Sequence, residues 1–159
     1  MKLFPENPTL VYRPFKLNER NYIYLADRGR IFGDVRLFDE QGTGIHFYTN
    51  REDTIADQEM TVELSRIGLQ QFRKVIPYMP DMDGWLGGSL RYVDSEGQMM
   101  LSADVRVDDF VYEKSPMGNW EMSGVYLPGD SGRHHVDGFL THNDREIIYM
   151  NGIYQADAI

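Results

Sequence analysis

The sequence contains no cysteine. A disulfide framework, a zinc site with thiolate ligands and a thiol nucleophile are therefore excluded. It also has no basic run, and its 16 Lys and Arg against 25 Asp and Glu give a net charge of −9. Because like charges repel, such a chain is poorly suited to a phosphate backbone, and no nucleic-acid partner is expected.

Long apolar segments are missing as well. No stretch approaches the ~20 apolar residues of a membrane-spanning helix, and "IIYM" (147–150) is among the longest. The opening "MKLFPENPTLVYRP" has one Lys and an early Pro but no apolar stretch, so it does not read as a signal peptide. If the protein works outside the cytoplasm, its targeting signal lies elsewhere. We then expect residues 1–159 to be one segment of a larger envelope protein.

What the sequence does contain is period-two alternation. In "QMMLSADVRVDD" the apolar residues share one face and the polar residues share the other, which predicts a half-buried strand. That apolar face carries Met99, Leu101, Ala103, Val105 and Val107. Further strands are predicted at 10–17, 22–26, 30–38, 44–49, 59–64, 84–93, 119–127, 133–141 and 146–154.

A hairpin unit is repeated along the chain. A Gly, an Asp six residues later and a Gly three residues after that occur at 33, 39 and 42, and again at 88, 94 and 97. A looser copy occupies 124–132. In the second copy, a four-residue loop at 94–97 would pair Tyr92 with Met99, Leu90 with Leu101, Gly88 with Ala103 and Leu86 with Val105. In the first copy, Val35 pairs with Phe47 and Leu37 with Ile45, with a bulge at Gly42 or Gly44.

One segment departs from alternation. "SRIGLQQFRKVIPYMP" has apolar residues at helical spacing, Ser65 as a candidate N-cap and Pro77 as a stop. We expect one short helix near residues 66–76. The predicted fold is therefore all-β: an elongated, curved antiparallel sheet of repeated hairpins with this helix near its middle.

Catalytic and metal-binding patterns are weak. "RHHVDGFLTHN" contains His134, His135, Asp137 and His142, but neighbouring strand residues point to opposite faces, which favours solvated hairpin residues over a metal site. "PDMDGWLGG" contains the start of a calcium loop at Asp81, yet the twelfth residue counted from Asp81 is Tyr92 instead of Glu. No serine lies in a nucleophile elbow. We expect no enzyme activity, no metal and no cofactor.

The aromatic residues support an alternative function. Trp85, Trp120 and ten tyrosines would suit a β-sandwich that binds glycans by stacking on sugar rings. Core packing is the more ordinary role of such side chains. A third interpretation is that the chain serves as a structural spacer in an envelope assembly.

Several sequence segments, taken in their order along the chain, resemble the TamB family, the translocation and assembly module proteins of the wider AsmA-like group. These segments are "PYMPDMDGWLGGSLRY" after the predicted helix, the "DDFVY" step at 108–112, "SPMG" at 115–118, and the closing "HHVDGFLTHNDREIIYMNGIY". The predicted hairpin at 21–48 fits the same repeat pattern. The likeness covers roughly residues 20–155.

The resemblance implies an extended β-groove with an apolar concave face. It also implies a periplasmic location within a protein anchored in the inner membrane by a helix outside this chain. The implied partners are phospholipid or other apolar cargo and an outer-membrane barrel of the BamA/TamA type. The implied roles are phospholipid transport and outer-membrane protein assembly.

A groove would be lined by one face of the predicted hairpins. The residues expected on it are Val35, Leu37, Leu86, Leu90, Tyr92, Met99, Leu101, Ala103, Val105 and Val107. The sequence leaves open whether this face is an open groove or the core of a closed sandwich. Unpaired terminal strands also predict weak edge-to-edge self-association.

Overall fold

The fold is seen in a computed structural model that describes residues 8–10, 13–50, 57–74, 76–129 and 132–155. These residues form twelve strands and two short 3₁₀ segments, Asp27–Gly29 and Leu69–Lys74. The strands are β1 (Thr9–Leu10), β2 (Arg13–Pro14), β3 (Lys16–Leu17), β4 (Tyr22–Leu25), β5 (Ile31–Phe38), β6 (Gly44–Thr49), β7 (Gln58–Gly68), β8 (Met82–Ser95), β9 (Gln98–Tyr112), β10 (Ser115–Pro128), β11 (Arg133–His142) and β12 (Arg145–Gln155).

Ten of the strands form a single antiparallel sheet. Its order is β12-β11-β10-β9-β8-β7-β6-β5-β3, and β4 also pairs with β5. From β5 to β12 each strand pairs with the next one along the chain, so the sheet is built by successive hairpins. Strands β1 and β2 pair only with each other. The expectation of an all-β, curved antiparallel sheet of repeated hairpins is confirmed.

The β5–β6 hairpin has the predicted register. Val35 pairs with Phe47 and Leu37 with Ile45. The carboxylate of Asp39 accepts hydrogen bonds from the backbone N–H groups of Gln41 and Thr43, at 2.8 and 2.9 Å. The aspartate of the repeated unit therefore closes the loop by bonding to its backbone.

The β8–β9 hairpin differs from the prediction by two residues. Tyr92 pairs with Leu101 and Leu90 with Ala103, whereas Met99 lies opposite Asp94. The loop is two residues long, because Glu96 and Gly97 both have positive φ values of 54° and 78°, as a type I′ turn requires. A shift of two leaves every side chain on its predicted face, since side chains alternate with period two.

The helical segment is shorter and starts later than predicted. Residues 66–68 belong to β7, where Ile67 pairs with Leu86 and Gly68 with Trp85. Ser65 is not an N-cap, because its backbone pairs with Gly44. The sheet holds the backbone up to Gly68, so only the six residues Leu69–Lys74 turn, in a 3₁₀ conformation. Val75 lies outside the described residues.

The buried core is small and lies early in the chain. Within the described part of the chain, Phe15, Phe32 and Leu69 are the buried hydrophobic residues. No described residue after Gly84 is buried. Apart from the two-stranded β1–β2 pair, the strands in these ranges form one open sheet, which is not the closed two-sheet sandwich considered as an alternative.

Candidate functional site

One face of the sheet carries rows of apolar residues that cross many strands. Cα partners in a ladder lie on the same face, so the rows follow directly from the register. The central row runs Val35, Phe47, Val62, Leu90, Ala103, Gly124, Gly138 and Met150. A second row runs Met60, Tyr92, Leu101, Tyr126, Val136 and Gly152. A third runs Leu37, Ile45, Leu64, Gly88, Val105, Met122, Leu140 and Ile148. We call this side the groove face.

The groove face borders an open cavity of about 620 Å³. Phe47 and Met60 border it from β6 and β7, and Ile148 and Met150 border it from β12. In a flat sheet, β6 and β12 would be six spacings of ~4.8 Å apart, about 29 Å. Their side chains border one cavity, so the sheet curves strongly and this face is concave.

The lining of the groove is apolar and open to solvent. Leu90 is 46% exposed, Leu101 41% and Met122 47%. The three rows contain only apolar side chains and glycine. Arg91 and Asp137 border the cavity, but their side chains lie on the opposite face, because each neighbours a groove-face residue along its strand. The cavity lining is therefore apolar, while the groove face carries one charge beside it at Asp94, the Cα partner of Met99.

The floor of the groove is lowest across the middle strands. Ala103, Gly124 and Gly138 are consecutive Cα partners on β9, β10 and β11. A Cβ on Gly138 would lie 2.8 Å from the backbone oxygen of Ser123, so this position is held to glycine by close packing. Larger residues flank these three positions along their strands, so the floor of the groove is deepest at its centre.

Aromatic and histidine rings stack at both ends of the groove face. At one end, His134 lies between Tyr126 and Tyr154, with ring centroids 5.5 and 6.2 Å apart, and its Nδ1 is 2.8 Å from the Tyr126 hydroxyl. At the other end, the rings of Trp120 and His142 are 4.6 Å apart. The two histidines are eight residues apart on β11, about 27 Å at ~3.4 Å per residue. The apolar stretch between them therefore has polar, ring-bearing ends.

Burial changes the titration of one groove tyrosine. Desolvation raises the pKa of Tyr92 above its usual value of 10, and the negative charge of Asp94 raises it further. Both effects favour the neutral phenol. The phenol of Tyr92 therefore stays neutral to a higher pH than an unperturbed tyrosine does.

All ten residues predicted to line a groove lie on the groove face. Leu90, Tyr92, Leu101 and Ala103 border the cavity itself. The others extend the same face beyond it: Val35, Leu37, Leu86, Met99, Val105 and Val107. The cavity also has a wall that the sequence analysis did not name, formed by Met122, Tyr126, Val136, Leu140, Ile148 and Met150. The period-two alternation of apolar residues in β10, β11 and β12 is the sequence pattern that could have identified this wall.

The weaker motifs do not converge on a site. His134 and His135 are neighbours in β11 and point to opposite faces. Asp81 pairs with Arg73 at 2.6 Å, and Asp83 accepts a hydrogen bond from the N–H of Gly84. In the described ranges, no group of three or more histidines and carboxylates is placed to hold a metal ion.

The two tryptophans do not form a common stacking platform. Trp120 lies on the groove face, as the Cα partner of Val107. Trp85 precedes the groove-face residue Leu86 and points the other way, and the guanidinium of Arg66 lies 5.2 Å from its ring centroid. One ring is therefore covered by a cation and the other by His142.

Comparison with protein-family models, with curated proteins and with solved structures gives no match for this chain. Among the described residues, no helix has the length and apolar character needed to span a bilayer. The case for function therefore depends on the groove.

Proposed function

We propose that this chain is a segment of a TamB-like envelope protein, and that its groove holds the acyl chains of phospholipid or other apolar cargo. The observation that carries the proposal is the open cavity of about 620 Å³ on the groove face, whose inward-facing side chains are apolar. Monomeric soluble proteins rarely leave large contiguous apolar surfaces exposed unless those surfaces bind something.

The dimensions of the groove face support an acyl chain as the occupant. The strand face between the two histidine ends is about 27 Å long. One hydrocarbon leaflet is roughly half of a ~30 Å bilayer core, so a chain of leaflet length fits within it. Each methylene removed from water contributes about 0.8 kcal/mol, and the exposed Leu90, Leu101 and Met122 are positioned to supply that contact.

The wider setting of the proposal comes from the resemblance. It implies a periplasmic location, within a protein anchored in the inner membrane by a helix outside this chain. There the groove would carry lipid towards the outer membrane or assist a BamA/TamA-type barrel in protein assembly. Neither role requires a catalytic residue.

The test is equilibrium binding of a fluorescent fatty-acid analogue to the purified chain and two variants. Leu101→Arg places a charge in the groove, where contact with hydrocarbon is costly. Ser89→Arg places the same charge on the other face, opposite Glu63 and Asp104. We expect binding by the wild-type chain and by Ser89→Arg, and a loss of at least about tenfold in affinity for Leu101→Arg, equivalent to ~1.4 kcal/mol.

Circular dichroism separates loss of binding from loss of fold. Because Leu101 is 41% exposed, we expect Leu101→Arg to stay folded, and Leu101→Ser is a milder second variant at the same position. Equal affinities of wild type and Leu101→Arg would overturn the proposal. No binding by the wild-type chain would do the same.

A further inference from the structure

The two ends of the groove face differ in charge. At the end beside the β8–β9 loop, Asp94 follows Tyr92 by two residues on the same strand, so both lie on the groove face. At the other end, Arg145 is the Cα partner of His142. The span from His134 to His142 puts these ends ~27 Å apart. The groove therefore has a negative end at Asp94 and a positive end at Arg145.

Three tyrosine rings lie on the groove face at the negative end. Tyr92, Leu101 and Tyr126 are consecutive Cα partners on β8, β9 and β10, so the two phenols flank one leucine. Both of these tyrosines border the cavity. Tyr154 lies further towards the end, as the Cα partner of His134. The π face of an aromatic ring attracts a cation within about 6 Å of the ring centroid.

Asp94 adds a full negative charge beside these rings. Its carboxylate interacts with the hydroxyl of Tyr92, which places the charge next to the cavity. Arg91 and Arg133 are strand neighbours of groove-face residues and therefore point to the opposite face, where Arg91 pairs with Glu59 at 2.8 Å. Across β7 to β12, the described groove-face positions at this end carry one carboxylate and no lysine or arginine.

We propose that the groove binds an amphiphile whose head group carries a positively charged amine. The amine lies between Tyr92 and Tyr126, beside Asp94, and the tail points towards Trp120. The inference rests on the proposed function, because the tail occupies the same apolar groove. Tyr126 and Trp120 are six residues apart on β10, a distance of ~20 Å, so a chain of leaflet length, roughly half of a ~30 Å bilayer core, fits between them.

Charge complementarity selects an amine over an anionic head group. An ammonium at this position is attracted by the carboxylate of Asp94 and by the ring faces, whereas an anionic head group meets a like charge. At the far end Arg145 repels the ammonium, so both ends orient the ligand in the same direction. A fatty acid still binds through its tail, but its carboxylate is repelled by Asp94 and its affinity is lower.

The test compares dodecyltrimethylammonium with dodecanoate, which have similar tails and opposite charges. Each competes with the fluorescent fatty-acid analogue for the purified chain, below its micelle concentration and at a mildly alkaline pH that ionises dodecanoate. We expect the ammonium compound to bind at least about tenfold more tightly. Asp94→Asn keeps the size of the side chain and removes its charge, so the ratio of the two affinities should fall to about twofold or less. Circular dichroism checks that the variant is folded.

A control separates this site from general attraction to an acidic chain. The net charge of −9 attracts any cationic amphiphile to some extent. Glu121→Gln changes the net charge by the same amount as Asp94→Asn, but Glu121 lies on the opposite face, as the Cα partner of Arg106. We expect Glu121→Gln to keep the preference for the ammonium. An equal loss of preference in both variants would overturn the proposal.

The rings are tested independently of the carboxylate. Tyr126→Leu should weaken binding of dodecyltrimethylammonium severalfold and change binding of dodecanoate little, because only the cation interacts with the π face. Tyr149→Leu is the matched control, since Tyr149 is the Cα partner of Phe139 on the other face and is 60% exposed. A preference for the ammonium that survives both Asp94→Asn and Tyr126→Leu would overturn the proposal.

Two further outcomes decide what the groove recognises. Choline, an amine head group without a tail, should not compete, because the tail supplies most of the apolar contact. Competition by choline alone would indicate a site for free amines and would overturn the assignment to an amphiphile. Equal affinities of the wild-type chain for the two amphiphiles would overturn the amine preference and leave the proposed function intact, whereas failure of both to bind would overturn the proposed function as well.

Discussion

In the first part of the sheet, up to Gly84, Phe15, Phe32 and Leu69 are buried, whereas no described residue from Trp85 to Gln155 is. Both parts use the same antiparallel ladder. They differ in what covers their side chains. Burial of apolar area is the main stabilising term in folding, so the first part should be the more stable one.

Polar contacts reinforce the first part. The buried amide of Gln58 accepts a hydrogen bond from the N–H of Ile31 at 2.6 Å and donates one to its C=O at 2.7 Å. Strand β6 ends at Thr49, so the Gln58 side chain supplies the pairing that a continuing strand would have given to Ile31. Thr43 and Thr61 are buried in the same region.

The second part keeps its apolar surface available. Its long strands, β8 to β12, are held by the ladder and by cross-strand contacts, while Met122 and Met150 remain about half exposed. One sheet can therefore combine a packed region with a region whose apolar face stays exposed and accessible to a ligand.

The largest expected effect is a contrast between two truncations. Phe32→Ala removes a side chain that is 4% exposed, and we expect a loss of about 3–5 kcal/mol in the free energy of unfolding. Met122→Ala removes one that is 47% exposed, and we expect a loss below about 1 kcal/mol, because little area leaves water there on folding. Urea denaturation of both variants measures the two losses of stability. Equal losses would contradict the difference between the two parts of the sheet.

A smaller effect is expected for the amide of Gln58. Gln58→Leu keeps the approximate size but leaves the N–H and C=O of Ile31 unpaired, which should cost about 2 kcal/mol. Asn151→Leu removes an exposed hydrogen bond to Asp137 in β11 and should cost less than about 0.5 kcal/mol. The same denaturation experiment measures both, and a larger effect of Asn151→Leu would contradict the account.

The smallest effect concerns alkaline pH. The Tyr48 hydroxyl donates to Glu63 at 2.8 Å, and this hydrogen bond is the main cause that raises the pKa of Tyr48 above 10, followed by burial. A raised pKa in the folded state stabilises the protein below pH 10, and that contribution is lost as the pH rises through the folded-state pKa. Tyr48→Phe should remove one late-titrating phenol from an ultraviolet titration and leave that of Tyr92. An unchanged titration curve would count against this hydrogen bond.

The sequence predicted most of the fold because alternation reports which residues share a face. Leu90, Leu101 and Val105 lie together as expected, even though the β8–β9 register is shifted by two. The shift was missed because Glu96–Gly97 is not among the strongest two-residue turn sequences. Helical spacing at 66–68 was overridden by pairing with β8.

The period-two pattern of a strand does not show whether its apolar face is covered by other residues or open to solvent. An open groove and a closed core have the same pattern in β9, and only the curvature of the whole sheet separates them. The far wall of the groove was also missed, because Ile148 and Met150 reach the cavity through the curvature of six successive strand pairs. Nor does a local pattern reveal that Gln58 bridges to Ile31, 27 residues away.

The most direct test of the groove is amide hydrogen exchange with and without a saturated fatty acid, kept below its aggregation concentration. An occupied groove should slow exchange in β9, β10 and β11, where Leu101, Tyr126 and Val136 border the cavity. Exchange around Phe32 and in the Asp39–Thr43 loop should not change. Slowed exchange confined to the groove strands is the result that we predict. Exchange that is unchanged throughout, or slowed equally in both parts of the sheet, would contradict the account.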